Sequence, residues 1–296
     1  MSNEIRLDGQ VAVVTGAGRG LGREHALLLA ARGAAVVVND MAVDGSSPAD
    51  DVVAEIREAG GTAVANHTPV GTLEAGEEIV AQATEEFGRL DVLVNNAGLL
   101  RDMSMAKLTV ADTDLVLKVH LGGTIWTTKA AWATFVEQGH GRVVNTTSAA
   151  GIFGNFGQTN YAAAKAGIIG VTRTLAVEGA RKGIHVNAIE PGARTRMTEN
   201  LLGDLAEHVD PALVAPLVVW LAAHDCTSNG EVYNVGGGRV ARVVTAQTPG
   251  LFSRELTPEV LRDGWDEVND LDRAQVVPGF VEELEILRDF LAGSTV

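Results

Sequence analysis

Val11-Ala12-Val13-Val14-Thr15-Gly16-Ala17-Gly18-Arg19-Gly20-Leu21-Gly22 is the stretch that decides the fold. Its apolar first half makes a strand that can be buried on both faces, and its glycines open a helix over 22–32. Glycine there permits a tight turn, lets the backbone approach a pyrophosphate, and lets the helix lie close on the sheet. The helix N-terminus then offers unpaired N–H groups and a partial positive charge to phosphates. Leu21 stands where the ordinary dinucleotide fingerprint has its third glycine, so the spacing alone is weak. Its place at the first strand–helix junction of a βαβ unit gives it meaning.

Working outward, a second strand over 35–39 ends at Asn39-Asp40, with Asp40 eighteen residues beyond Gly22. A carboxylate there accepts hydrogen bonds from ribose hydroxyls and repels a 2′-phosphate, which favours NAD over NADP. Arg19 pulls the other way, since a guanidinium near that pocket suits a 2′-phosphate. Burying a phosphate against Asp40 costs more than a surface arginine returns, so NAD is expected.

Further apolar, β-branched runs follow near 62–66, 91–95, 142–147, 185–190 and 231–235. Helical patterns separate them over 49–59, 73–87, 111–137, 160–182 and 211–224, and glycines such as Gly33, Gly60, Gly88, Gly139 and Gly183 stop them. This alternation predicts an α/β, Rossmann-type, doubly wound parallel sheet of about seven strands with helices on both faces. The expected dehydrogenase-type domain covers 1–238. From Arg239 the rhythm is lost, and Pro249, Pro258 and Pro278 punctuate a C-terminal extension, 239–296, with two short helices near 258–269 and 279–291. That extension reads equally as a tail packed on the domain or a neighbouring subunit and as a flap over a substrate pocket.

The chain has 296 residues, 46% of them hydrophobic, with 23 Lys plus Arg against 38 Asp plus Glu, a net charge of −15. Such an acidic chain repels nucleic acid and anionic membrane surfaces, so neither is expected as a partner. No apolar run is long enough to span a membrane and no leader pattern is visible. The single cysteine, Cys226, permits no intramolecular disulfide and follows a helix end with no His or acid at metal-ligand spacing. The expectation is a cytoplasmic protein that binds no metal.

Tyr161-Ala162-Ala163-Ala164-Lys165 places a phenol and an ammonium on one helix face. An unperturbed tyrosine is a poor acid–base catalyst at neutral pH, and a nearby positive charge favours its phenolate. Thirteen residues upstream, Ser148 ends an apolar strand, where its hydroxyl can meet a substrate oxygen. Alone, Tyr-x-x-x-Lys is most often a solvated helix face. Behind a phosphate loop and a strand-end serine it points to alcohol–carbonyl chemistry.

With Thr15–Gly22, Asn95-Asn96-Ala97-Gly98, Ser148, Tyr161 with Lys165, and Pro191-Gly192 in order, the chain resembles the short-chain dehydrogenase/reductase family over roughly residues 8–238. The resemblance implies that Tyr161 exchanges a proton with the substrate oxygen. Lys165 would lower the Tyr161 pKa and hold the nicotinamide ribose, and Ser148 would orient the reacting oxygen. Gly16, Arg19, Gly20, Leu21, Gly22, Asp40, Val70, Asn96, Ala97, Gly98, Pro191, Gly192 and Thr195 would join Tyr161 and Lys165 around NAD, with Asn95 supporting the sheet.

Within the family, Val119-His120-Leu121-Gly122-Gly123, Gly151–Gln158, Val214–Leu221 and Arg101-Asp102 are similar to the dehydrogenase part of the peroxisomal multifunctional enzymes of type 2. That subgroup implies (3R)-3-hydroxyacyl-CoA as substrate. The alternatives are a hydroxysteroid dehydrogenase or carbonyl reductase on free substrates, and a catalytically silent cofactor-binding scaffold. The resemblance further implies a homo-oligomer, a dimer or tetramer, built through the helices over 111–137 and 160–182.

The match frays in places. His120 stands where most of the family has asparagine, and reads equally as part of a proton relay and as a structural histidine. After the third strand, Asn66-His67-Thr68-Pro69-Val70 replaces the usual acid beside the adenine. After Pro191-Gly192, Arg196 takes the place of the cofactor-binding threonine, with Thr195 and Thr198 beside it. Arg194 and Arg196 could meet coenzyme A phosphates, but ordinary pairing with Glu199 or Asp204 is the stronger expectation. Phe153 and Phe156 suggest an apolar substrate wall, and equally plain packing. Met103, Met105, Trp126 and Trp132 read as core or subunit interface.

Overall fold

The structure is a computed structural model and describes residues 4–43, 45–194 and 207–292. The first elements are β1 (Val11–Thr15), α1 (Gly20–Ala31), β2 (Ala35–Asn39), α2 (Pro48–Glu58), β3 (Thr62–Asn66), α3 (Leu73–Phe87) and β4 (Val92–Asn95). Then come α4 (Val110–Leu117), α5 (Gly123–Gln138), β5 (Gly141–Thr146), α6 (Ala149–Phe153), α7 (Thr159–Gly179), β6 (Ile184–Pro191), α8 (Ala215–Ala222), β7 (Val232–Gly236) and β8 (Arg239–Val243). The strands form one sheet in the order β3-β2-β1-β4-β5-β6-β7-β8. All pairs from β3 through β7 are parallel. The order reverses between β1 and β4, which opens a crevice at the carboxyl ends of the strands.

Alternation along the strands splits the core into two layers. Ala12, Val14, Val36, Val38, Val92 and Val94 pack with Leu29, Ile56, Val218 and Leu221 on one face. Val11, Val13, Val37 and Leu93 pack with Ile79, Phe135 and Ile184 on the other. Covering helices on both faces explain why the strands read as continuous apolar runs.

The expected Rossmann-type sheet of about seven strands is extended by one more, β8, which Gly237 and Gly238 (φ 55° and 80°) reach by a two-residue hairpin turn. Two expected helical patterns are corrected. The pattern over 111–137 is two helices, α4 and α5, joined by a π-helical turn over Lys118–Gly122. The pattern over 211–224 is a short 3₁₀ turn, Pro211–Leu213, followed by α8.

The chain divides into two compact units, Met1–Arg242 and Val243–Val296. The division lies past 238 because β8 continues the sheet. The second unit holds a small antiparallel pair, β9 (Ala246–Gln247) with β10 (Gln275–Val276), and the helices α9 (Pro258–Asp263), α10 (Trp265–Val268) and α11 (Phe280–Ala292). The first helix expected here is thus split at Gly264. None of this unit's described residues is buried. Among the described residues, no helix is long and apolar enough to cross a membrane, and no group of three or more His, Cys, Asp or Glu could hold a metal.

Candidate active site

A cavity of about 800 Å³ lies along the crevice. Gly16, Arg19, Gly20, Leu21 and Asp40 line one end. Val70, Asn96, Ala97 and Gly98 line its middle, and His120, Ser148, Tyr161, Lys165 and Pro191 line the other end. Gly22 and Gly192 are not among the residues that line it.

The glycine end is a cradle in which side chains have no room. A Cβ on Gly16 would stand 2.7 Å from the Ala97 Cα, and one on Gly22 would stand 2.2 Å from the Gly16 carbonyl oxygen and 2.5 Å from Asn96 Nδ2. One on Gly18 would meet Asp40 Oδ2 at 2.7 Å. Asn96 pins the loop from β4, donating from Nδ2 to the Thr15 and Gly16 carbonyls (3.1 and 3.0 Å). No side chain caps α1, since Arg19 at its N-cap makes no such bond. Its first N–H groups therefore face the cavity end uncapped, the arrangement that favours a phosphate. Asp40 Oδ2 accepts a bond from the Gly18 N–H at 2.9 Å, so the carboxylate is tied to the loop it faces. These residues fit a nicotinamide dinucleotide.

The far end is built from side chains. Ser148 caps α6, accepting from the Ala150 N–H at 3.3 Å, which holds its hydroxyl at the end of β5. Tyr161 and Lys165 lie on the first turns of α7. Lys165 is buried and donates from Nζ to the Thr146 carbonyl at 2.6 Å, with Nζ 5.6 Å from the Tyr161 ring centre. Burial pulls the Lys165 pKa down to about 7. Burial raises the Tyr161 pKa above the ordinary phenol value, a hydrogen bond from Ser148 lowers it, and the Asp102 charge raises it further. The main force on the phenol is thus desolvation, and Lys165 gives one of its three N–H donors to Thr146.

His120 is brought in by the π-helical turn, whose extra residue rotates the imidazole under residues 98–99. It is 2% exposed. Its Nε2 lies 2.8 Å from the Leu99 carbonyl oxygen and 3.1 Å from the Leu99 nitrogen, and its ring meets Tyr161 edge-on at 5.2 Å. Burial and the Lys165 charge push its pKa down to about 3. The imidazole is therefore neutral at physiological pH. A Cβ on Gly98 would strike His120 Cε1 at 2.2 Å, so the glycine of Asn95-Asn96-Ala97-Gly98 makes room for this ring. Asn95 lies deeper, donating to Thr128 and Asn145 (both 2.9 Å) and tying β4 to α5 and β5.

Other expected residues fall elsewhere. Phe153, the last residue of α6, and Phe156, in the turn after it, are 76% and 90% exposed and do not line the cavity. They are not its apolar wall. Met103, Met105 and Trp126 are exposed, at 40%, 72% and 40%, so none is core of this chain. Thr195, Arg196 and Thr198 lie outside the described residues. In place of the missing acid near the adenine end, Asn39 Nδ2 donates to Asn66 Oδ1 (2.7 Å) and to the Thr68 carbonyl (2.8 Å), which shapes the turn leading to Val70. Sequence reasoning overlooked Asn39, the Thr146 carbonyl and two buried amides, Gln158 and Asn160. Their signal was their place, at a strand end or just before Tyr161.

An uncapped helix behind a glycine cradle, with a Ser, Tyr and Lys set at the far end of one crevice, defines a nucleotide-dependent dehydrogenase of Rossmann type. The family model for short chain dehydrogenases matches residues 10–205. The chain belongs to the short-chain dehydrogenase/reductase family. It is 48% identical over 285 residues to peroxisomal multifunctional enzyme type 2 of Mus musculus, covering 93% of this chain and 38% of that one. It is 37% identical to a hydroxyacyl-CoA dehydrogenase of Mycobacterium tuberculosis, over 99% of this chain and 92% of the relative. A crystal structure of a short chain dehydrogenase from Mycobacterium avium is 41% identical, with a TM-score of 0.81, covering 92% of this chain and 98% of that one. The chain thus spans well under half the length of the mouse enzyme it matches.

Proposed function

We propose that this chain oxidises (3R)-3-hydroxyacyl-CoA to 3-ketoacyl-CoA with NAD. The observation that carries the reading is one continuous cavity with Asp40 at one end and Ser148, Tyr161 and Lys165 at the other. The similarity to the mouse enzyme and to the hydroxyacyl-CoA dehydrogenase supports the substrate class. Gly16, Gly20 and the uncapped start of α1 would hold the pyrophosphate, Asp40 the adenosine ribose, and Lys165 the nicotinamide ribose. NAD supplies a hydride acceptor and a positively charged ring. Tyr161 takes the proton of the substrate hydroxyl, Ser148 hydrogen-bonds the same oxygen, and Lys165 places positive charge behind both. His120, neutral and tied to Leu99, holds the wall beside Tyr161.

Because burial raises the Tyr161 pKa, oxidation, which needs the phenolate, accelerates as pH rises. Reduction, which needs the phenol, is already served at neutral pH. We further propose a homo-oligomer through α4, α5 and α7, whose Val110 and Val177 are 78% and 80% exposed, and a cytoplasmic location. Sedimentation tests the assembly, and fractionation the location.

The test of function is NAD reduction with paired (3R)- and (3S)-3-hydroxyacyl-CoA esters and a free 17β-hydroxysteroid. Selective turnover of the (3R) thioester is expected. Turnover of the free steroid alone discards the coenzyme A assignment.

A further inference from the structure

Residues 99–103 follow β4 and the Asn96–Gly98 turn; Leu99 lines the cavity, and apart from a bridge at Met103 the segment has no regular secondary structure. Nearly every residue is nevertheless tied down. His120 Nε2 grips Leu99. Asn160 Nδ2 donates to the Arg101 carbonyl at 3.1 Å, and Gln158 Nε2 donates to Asp102 Oδ2 at 2.8 Å. The Met103 N–H donates to the Gly157 carbonyl at 2.8 Å, and Met103 forms a parallel bridge with Gln158.

The two amides are 4% and 2% exposed, and both use their acceptors as well. Gln158 Oε1 accepts from Asn155 Nδ2 at 2.9 Å, and Asn160 Oδ1 accepts from the Tyr161 N–H at 2.8 Å. Gln158 is the N-cap residue of α7, yet its side chain does not cap the helix. It is committed to Asp102 and Asn155 instead. Buried amides are expensive unless satisfied, and these are satisfied only while the segment and the start of α7 stay in register.

We propose that Gln158 and Asn160 are positioning residues. They clamp residues 99–103 against the first turn of α7, so that Tyr161 presents its hydroxyl at a fixed distance from the substrate-side wall, with Asp102 as the charged member of that clamp. The charged and titratable groups facing Tyr161 are then Lys165 from α7, His120 from the π-helical turn, and Asp102 from the segment. Arg101 lies apart, 3.8 Å from Asp112. Asp102 opposes the phenolate and Lys165 favours it. The clamp therefore sets both the geometry and part of the charge balance at the reacting oxygen.

This proposal rests on the dehydrogenase reading, so its test has one arm that needs turnover and one that does not. Asn160→Asp keeps the shape and the acceptor for the Tyr161 N–H but loses the donor to Arg101. Gln158→Ala loses the donor to Asp102. Each should lower kcat by about 10- to 100-fold, the scale of a misplaced reacting group, while the NADH dissociation constant stays within about twofold of wild type. The second arm is an ultraviolet titration of phenolate, legible because the chain has only two tyrosines, Tyr161 and Tyr233, and a Tyr161→Phe control assigns the signal. Asp102→Asn should move the Tyr161 titration to lower pH.

Unchanged kcat in both amide variants overturns the clamp. So does a parallel fall in kcat, NADH affinity and Tm, which would mean ordinary loss of folding, and so does an unmoved Tyr161 titration in Asp102→Asn. If the wild-type chain oxidises none of the three proposed alcohols, the substrate reading fails instead, and the titration still decides the clamp.

Discussion

The two ends of the cavity are made of different material. The glycine end is backbone: three glycines, an uncapped helix start and one carboxylate, with side chains excluded by distances of 2.2–2.7 Å. The tyrosine end is side chain: Lys165, His120, Gln158 and Asn160 are all buried, the last three hydrogen-bonded to residues 99–103 and Lys165 to the end of β5. Backbone recognition suits a cofactor whose phosphates are the same in every catalytic cycle. Side chains suit a reacting oxygen, whose proton must be handled by groups of adjustable pKa. The two ends should therefore fail in different ways: loss of binding at the first, loss of turnover at the second.

The sharpest break is Tyr161→Phe. It removes one oxygen from the tyrosine end and should cut kcat by about 10²- to 10⁴-fold, the usual worth of a positioned acid–base group. NADH binding, followed by fluorescence, should be unchanged. Unchanged turnover would remove Tyr161 from the chemistry.

Gly22→Ala is the corresponding break at the glycine end. The new methyl meets the Gly16 carbonyl and Asn96 Nδ2, neither of which can give way without moving the loop. NADH affinity should fall by at least about tenfold, ~1.4 kcal/mol. Saturating cofactor should restore most of kcat, and calorimetric titration with NADH checks the first point. A kcat that stays low at saturation would show that the two ends are not separable.

Asp40→Ala sharpens the comparison further, because it keeps the backbone cradle and removes only the carboxylate. The preference for NAD over NADP should narrow by about tenfold, with Arg19 left to meet a 2′-phosphate. An unchanged preference in paired kcat/KM measurements would overturn the ribose assignment.

The difference between the ends also governs what could be read in the sequence. The glycine end was legible, because glycine is conspicuous and its positions follow directly from the crowding around a strand–helix turn. The sheet was legible for a related reason: strands such as Val11–Thr15 are buried on both faces and show as unbroken β-branched runs. Much of the tyrosine end was hidden. The π-helical turn that delivers His120 leaves no mark in a 3.6-residue pattern, since Val116, Leu117 and Leu121 continue it. Gln158 and Asn160 are ordinary polar residues before a helix, and their partners lie 56 and 59 residues away in the chain. Phe153 and Phe156 misled because apolar character does not specify a direction, and at the end of α6 and in the turn after it both face solvent. β8 was missed because its side chains are mostly exposed and carry two arginines, Arg239 and Arg242.

The smallest effect separates two imidazoles that burial treats alike. His25, on α1 away from the cavity, and His120 are both pushed down to about pKa 3, and His25 has no hydrogen-bond partner at either nitrogen. An unfolded histidine titrates near ~6.5, so each folded-state pKa is depressed. Below that value the unfolded chain takes up protons that the native chain refuses. Stability is thus fully present above about pH 6.5 and is lost as pH falls toward 3. His25→Leu should raise stability at pH 7 by about 1–2 kcal/mol, because it removes a buried polar ring without partners. It should also make the decline between pH 6.5 and 4 less steep in urea unfolding, and leave kcat alone. His120→Asn should flatten the same decline while lowering kcat, since only that ring supports Leu99 beside Tyr161. Equal kcat in the two variants would place His120 with the scaffold rather than with the tyrosine end.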